Sequence, residues 1–256
     1  MAAIRWGLIG ATVIGREWMI NAIRAAGGEI VAVMSTDAAR GRAYAEEFGI
    51  PRSVTTVPEL LASGIDAVYI STTNERHRAE TVAAAGAGIH VLCEKPLATS
   101  LADAKAMVAA CEKAGVVMAT NHHLRNAAIH RAARDLVKAG KIGRPLSARV
   151  AHAGYLPKHL QGWRLTDPKA GAGAILDLTV HDVDLLRFIL DDEPVEVTTM
   201  TQNGGMAAAG IEDAAHSIIK FRSGLIAHLF DGFTTKYVET GVEVHGVDGS
   251  IVARNC

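Results

Sequence analysis

Apolar positions in the first half of the chain fall into short runs separated by longer segments of helical spacing. "IRWGLIG" (4–10), "EIVAVMS" (29–35), "IDAVYIST" (65–72), "IHVLCE" (89–94) and "VVMATN" (116–121) read as strands. Between them, "REWMINAIRAAGG" (16–28), "DAARGRAYAEEFG" (37–49), "NERHRAETVAAAGAG" (74–88) and "LADAKAMVAACEKAG" (101–115) have the period of helices. Asp37 is the expected N-cap of the second of these and Gly49 its stop. Short strands alternating with helices of ten or more residues predict a parallel, doubly wound α/β domain over residues 1–122.

The pattern changes after residue 122. A helix is expected at about 127–139, then "KIGRPLSARVAHAGYL", a glycine-rich stretch at 170–174 and a helix near 177–190. From Val195 onward the chain alternates as strands do: "VEVTTMTQ", "HSIIKF", "LIAHLFDGF", "TGVEVHG" and "SIVARN". Ser223-Gly224 and Asp248-Gly249 stand where hairpin turns belong. Residues 123–256 are therefore expected to form an α+β domain on a mostly antiparallel, open sheet. The chain stops at Cys256 just after a strand, so the expectation is a C-terminally truncated domain whose edge would need covering.

Composition narrows the function classes. With 26 Lys+Arg against 27 Asp+Glu the net charge is −1, which gives no electrostatic case for nucleic acid or an anionic membrane. Apolar runs fall short of the roughly 18 residues of a membrane span, and the N-terminus lacks a signal-peptide pattern. The three cysteines, Cys93, Cys111 and Cys256, show no C-x-x-C spacing, so reduced thiols and a cytoplasmic location are expected. Eleven histidines invite a metal reading, and Asp177, His181 and Asp184 are close enough in sequence to ligate. Without an H-E-x-x-H or cysteine set, no metal is expected.

Three features carry chemistry. The first is "GLIGATVIGREW" at a strand–turn–helix junction. Gly10 and Gly15 fit the outer glycines of Gly-x-Gly-x-x-Gly, and Thr12 replaces the middle one. Gly10, Ala11, Thr12, Val13 and Ile14 would cradle a pyrophosphate at the positive end of the helix. The second is the end of the second strand, where Ser35, Thr36 and Arg40 suit the 2′-phosphate of NADP(H). Asp37 is read as a helix cap; were it to reach the ribose, NAD would follow.

The third feature is a set of polar strand ends: Ser71, Thr72, Thr73, Asn74 and His77; then Glu94 and Lys95 ahead of Pro96; then Asn121 and His123. Proline keeps Lys95 out of helical backbone, on an extended or sharply turned segment. Ligands of doubly wound sheets bind beyond such carboxyl ends, which predicts a pocket there. In the second domain Asp177 and His181 are four apart, so on a helix they share a face. A carboxylate beside an imidazole fixes its tautomer and suits it to donate a proton to a carbonyl oxygen. A helix cap plus an interface histidine is the plainer alternative.

With these residues assembled, the sequence resembles the glucose–fructose oxidoreductase/inositol dehydrogenase/rhizopine catabolism (Gfo/Idh/MocA) family. The matching stretches are "RWGLIGAT", "GREW", "STTNE", "HVLCEKPLA", "TNHHLRNAA", "YLPKHLQGWRL", "ILDLTVHD" and "FTTK". The resemblance implies a Rossmann domain followed by a substrate domain. It also implies NADPH-dependent reduction of a sugar-ring ketone, 1,5-anhydro-D-fructose to 1,5-anhydro-D-mannitol. Lys95 would act at the substrate carbonyl, His181 as the catalytic histidine and Asp177 beside it. Ser35 and Arg40 would hold the 2′-phosphate, and Trp163, Arg164, Asn121, His123 and His152 would line the cofactor and sugar pocket where the two domains meet. Two alternatives stay open: an NAD-dependent polyol dehydrogenase of the same family, and a non-catalytic NADP(H) or sugar sensor. The expected partner is a small sugar, in a monomer or homo-oligomer.

Overall fold

The computed structural model describes residues 2–256, and the chain divides between Asn121 and His122 into two compact units. The first unit runs β1 (Arg5–Ile9), α1 (Ile20–Ala25), β2 (Glu29–Met34), α2 (Ala38–Phe48), β3 (Arg52–Val54), α3 (Val57–Leu61), β4 (Ala67–Ile70), α4 (His77–Gly86), β5 (His90–Cys93), α5 (Leu101–Ala114) and β6 (Met118–Thr120). Its six strands are all parallel, in the order β3-β2-β1-β4-β5-β6. Chain direction across the sheet reverses between β1 and β4, and there the crevice of a doubly wound sheet opens at the carboxyl ends. Every residue of β4 is buried, as a strand covered on both faces must be. One layer packs Ile20, Ile23 and Tyr44 on Leu8, Val33 and Tyr69. The opposite layer packs Leu60, Ala84, Met107 and Cys111 on Ile9, Ile70 and Cys93.

The second unit carries α6 (Ala128–Lys138), β7 (Pro145–Ala153), α7 (Trp163–Thr166), α8 (Val180–Leu190), β8 (Pro194–Gln202), β9 (Ala214–Phe221), β10 (Ile226–Gly232), β11 (Gly241–Gly246) and β12 (Ser250–Arg254). Its sheet is ordered β12-β11-β7-β10-β9-β8. All pairings are antiparallel except β7 with β10. Alternate residues of β9 are buried and exposed, so one face is covered and the other open. The covered face meets α6 and α8 through Ala133, Leu185, Leu186 and Ile189, packed on Val150, Ile219, Phe221, Leu229 and Val244.

Three features depart from the sequence reading. β3 and α3 were not expected. Both are short, and their signal is the box Thr56-Val57-Pro58-Glu59, in which the Thr56 hydroxyl caps the Glu59 amide and Glu59 bonds back to the Thr56 amide. The helices expected from Arg16 and from Asp177 begin instead as π-wound turns, Gly15–Met19 and Ile175–Thr179. Finally, "PLSARVAHA", unassigned from sequence, forms β7, an inner strand of the second sheet.

Leu186 is fully buried where α8 meets the sheet. Leu186→Ala should therefore destabilise the second unit by about 2–5 kcal/mol, read as a lower denaturant midpoint in chemical unfolding.

Candidate functional site

In the first unit the site begins at the β1–α1 turn. Gly10 has φ +114°, and a Cβ there would lie 3.0 Å from Thr12 Cγ2 and 3.3 Å from Ser71 Oγ. Only glycine holds that backbone without strain. A Cβ on Gly15 would come within 2.8 Å of the Tyr44 hydroxyl. Thr12 at the middle-glycine position has a local job: its hydroxyl pairs with Ser71 Oγ at 2.8 Å and accepts from the Gly15 amide at 3.3 Å. The Tyr44 hydroxyl donates to the Thr12 carbonyl at 3.2 Å. Main chain close-packed by small residues at a helix start is the geometry that fits a dinucleotide pyrophosphate. Ala11 and Ile14 line the same turn, and Val13 is exposed on it.

At the end of β2 the Asp37 carboxylate accepts from the Ala39 and Arg40 amides at 2.9 and 3.0 Å, so it is the N-cap of α2. Those two amides hold its carboxyl below the usual carboxylate range. Arg40 Nε donates to Ser35 Oγ at 3.1 Å, and the Asp37 amide donates to the same oxygen at 3.3 Å. Ser35 is buried, whereas Thr36 and Arg40 are exposed.

The ends of β4, β5 and β6 converge on Glu94. Its Oε1 accepts from the Tyr69 hydroxyl and from Asn121 Nδ2, each at 2.6 Å, and its Oε2 accepts from the Lys95 amide at 3.3 Å. Burial, then the Glu94 charge, push the Tyr69 phenol well above its ordinary value, so it remains a donor. The Lys95–Pro96 peptide is cis. His77 is fully buried, with Nδ1 3.0 Å from the Pro96 carbonyl and Nε2 3.1 Å from that of Thr72. Burial lowers its basicity. A side chain so enclosed ties two loops together, the one at Thr72 and the one at Pro96. In the first loop Thr72 donates to the buried Glu80, Thr73 donates to Glu75 at 2.6 Å, and Asn74 is buried.

The second unit gathers imidazoles. The ring of His181 lies 4.9 Å from that of His123, 6.0 Å from His152 and 6.3 Å from His122, centroid to centroid. His181 is buried on the first turn of α8. The start of this helical segment is capped from the β8–β9 loop, where Glu212 accepts from the Ile175 amide through its side chain and from the Ala174 amide through its carbonyl, both at 3.2 Å. Asp177 pairs with Arg164 Nε at 3.3 Å, and the Arg164 guanidinium lies 4.6 Å from the Trp163 ring centroid. The sequence reading placed Asp177 one α-turn before His181; the structure sets it on the π-wound turn, facing Arg164. Among the described residues no group of three or more His, Cys, Asp or Glu is arranged to hold a metal ion.

Four contributors escaped the sequence reading: Tyr69, Glu212, Asp182 and Asp231. Asp231 had a signal, a carboxylate inside the apolar run "LIAHLFDGF". Asp182 sits beside His181, yet it points to His152, with Oδ1 3.0 Å from Nδ1. No helix among the described residues is long and apolar enough to cross a membrane.

Comparison with known proteins places the two units in a family. Residues 4–122 match an oxidoreductase family with an NAD-binding Rossmann fold, and residues 130–252 match the GFO/IDH/MocA C-terminal domain. The chain is 60% identical over 252 residues to a 1,5-anhydro-D-fructose reductase of Ensifer adhaerens, covering 98% of this chain and 76% of that protein. It is 32% identical to a D-xylose 1-dehydrogenase (NADP(+)) of Haloferax volcanii, covering 97% and 75%. Among solved structures, GenD2 from gentamicin A biosynthesis, in complex with NAD, superposes with a TM-score of 0.91 at 27% identity, over 99% of this chain and 73% of that one. An oxidoreductase domain protein from Kribbella flavida superposes at 0.90 with 30% identity, over 99% and 74%. Both units, in this order, make the chain a member of the Gfo/Idh/MocA family of oxidoreductases.

Proposed function

We propose that this protein reduces the ring ketone of a sugar with NADPH, and that the sugar is 1,5-anhydro-D-fructose, giving 1,5-anhydro-D-mannitol. The observation that carries this reading is the 60% identity, over 98% of the chain, with a reductase named for that substrate. Supporting the choice of NADPH, Asp37 is committed to capping α2, while Arg40 and Ser35 stand together as a cation and a hydroxyl. A guanidinium fork suits a 2′-phosphate, and a carboxylate free to take ribose hydroxyls is what NAD would want.

A bound reduced nicotinamide supplies the hydride. The chain's part is to hold charge and protons. Lys95 donates a hydrogen bond to the ketone oxygen and stabilises the negative charge that grows there. His181 delivers the proton that turns this oxygen into a hydroxyl. Asp177 and Arg164, paired with each other, shape the surroundings of the imidazole. Glu94, fastened by Tyr69 and Asn121, fixes the backbone from which the Lys95 side chain departs.

Lys95→Ala should lower kcat with 1,5-anhydro-D-fructose by roughly 10²–10³-fold and leave the NADPH dissociation constant within a few-fold. Steady-state rates beside a fluorescence titration of NADPH check both halves, and near-normal turnover refutes the assignment. Arg40→Ala should weaken NADPH binding by roughly 10–100-fold and leave NADH binding unchanged, since it removes a charge-assisted bond to the 2′-phosphate alone. Equal losses with both nucleotides would exclude this role for Arg40.

A further inference from the structure

Behind the imidazole cluster lies a pair of carboxyl groups that the proposed reaction does not use. Asp182 on α8 is 1% exposed and Asp231 on β10 is 0% exposed. Asp231 is the parallel-register partner of His152 on β7, so the two side chains lie next to each other on the sheet, and Asp182 meets both from the helix above. Asp231 Oδ2 accepts from the Thr179 hydroxyl. Asp182 Oδ1 lies 3.0 Å from His152 Nδ1. One oxygen on each carboxyl, Asp182 Oδ2 and Asp231 Oδ1, is then left without an N–H or O–H donor, and the two side chains are within hydrogen-bonding reach of each other.

Two carboxylates cannot both stay ionised at that distance away from water. A single proton between the orphaned oxygens satisfies both of them. Burial pushes both carboxyls upward, which favours keeping that proton. The groups facing the pair are the Thr179 hydroxyl and the His152 imidazole, with His228 and the Cys256 thiol coupled to it at longer range.

We propose that Asp231 and Asp182 share one proton and act as positioning residues, holding His152 as the Nδ1–H tautomer so that its Nε2 is an acceptor for a hydroxyl of the sugar. Asp231 O–H donates to Asp182 Oδ2. Asp182 Oδ1 accepts from His152 Nδ1–H. A neutral imidazole that donates through Nδ1 carries its lone pair on Nε2. The substrate half of this inference rests on the sugar-reductase reading; the tautomer half does not.

The test is ¹⁵N NMR of the whole protein labelled at histidine, with His152 assigned by its loss in His152→Gln. The expected spectrum at neutral pH shows His152 protonated at Nδ1 and bare at Nε2. Asp231→Asn, whose amide can donate the same bond to Asp182, keeps that pattern. Asp182→Leu, equal in shape but with no acceptor, loses it, and its KM for 1,5-anhydro-D-fructose rises at least about tenfold while NADPH affinity stays within a few-fold. A parent His152 protonated at Nε2, or an Asp182→Leu protein with an unchanged His152 pattern, overturns the proposal. Should Asp182→Leu fail to fold, judged by circular dichroism, the parent and Asp231→Asn spectra decide alone. Should the parent reduce no sugar ketone, the reductase reading falls, and the tautomer result still stands or fails by itself.

Discussion

The first unit depends on one buried carboxylate. Glu94 accepts from Tyr69 on β4 and from Asn121 just past β6, and it also takes the amide of its own neighbour, Lys95. Three adjacent strand ends are thereby fixed to one another at the rim where a doubly wound sheet binds its ligand. Hydrogen bonds to a charged acceptor contribute about 1.5–3 kcal/mol each, more than neutral ones. His77 repeats the arrangement one layer away by spanning the Thr72 and Pro96 carbonyls. These ties hold still the main chain from which the Lys95 side chain departs, which is what the role proposed for its amine requires.

The second unit solves a similar problem with other materials. Its candidate side chains leave from a helical segment whose first turn is π-wound and capped by Glu212, and from strands where a buried carboxyl faces an imidazole. The rest of the sheet's covered face is mostly apolar. Buried carboxyls and imidazoles thus gather at one end, while the apolar remainder of the layer supplies cohesion. Arg125 illustrates the rule, gripping Asp184 with two bonds of 2.6 Å beside the histidines.

Local signals carried most of the fold. The periodicity of residues 16–28, 37–49 and 101–115 located three helices, and Asp37 and Gly49 do bound α2 as its cap and left-handed stop. β3 escaped because three residues make no period, and β7 because its run mixes exposed and buried positions. The π-wound starts escaped for a different reason: five residues make a single widened turn, too short to set a period of its own. Among the candidate residues, the positions of Lys95 and Asn121 at strand ends and the Gly10–Gly15 turn were readable from sequence pattern and glycine spacing. The grip of Tyr69 on Glu94 and of Asp182 on His152 was not, since each joins residues 25 or more apart through nothing but the fold.

The single parallel pairing in the second sheet has a kinetic side. β7 (Pro145–Ala153) finds both its neighbours only in β10 (Ile226–Gly232) and β11 (Gly241–Gly246), across long intervening stretches of chain. Every strand contact of the first unit closes before residue 121. High contact order slows folding. On a ribosome the nucleotide-side unit can thus mature while β7 waits, still unpaired, for β10 and β11 to emerge.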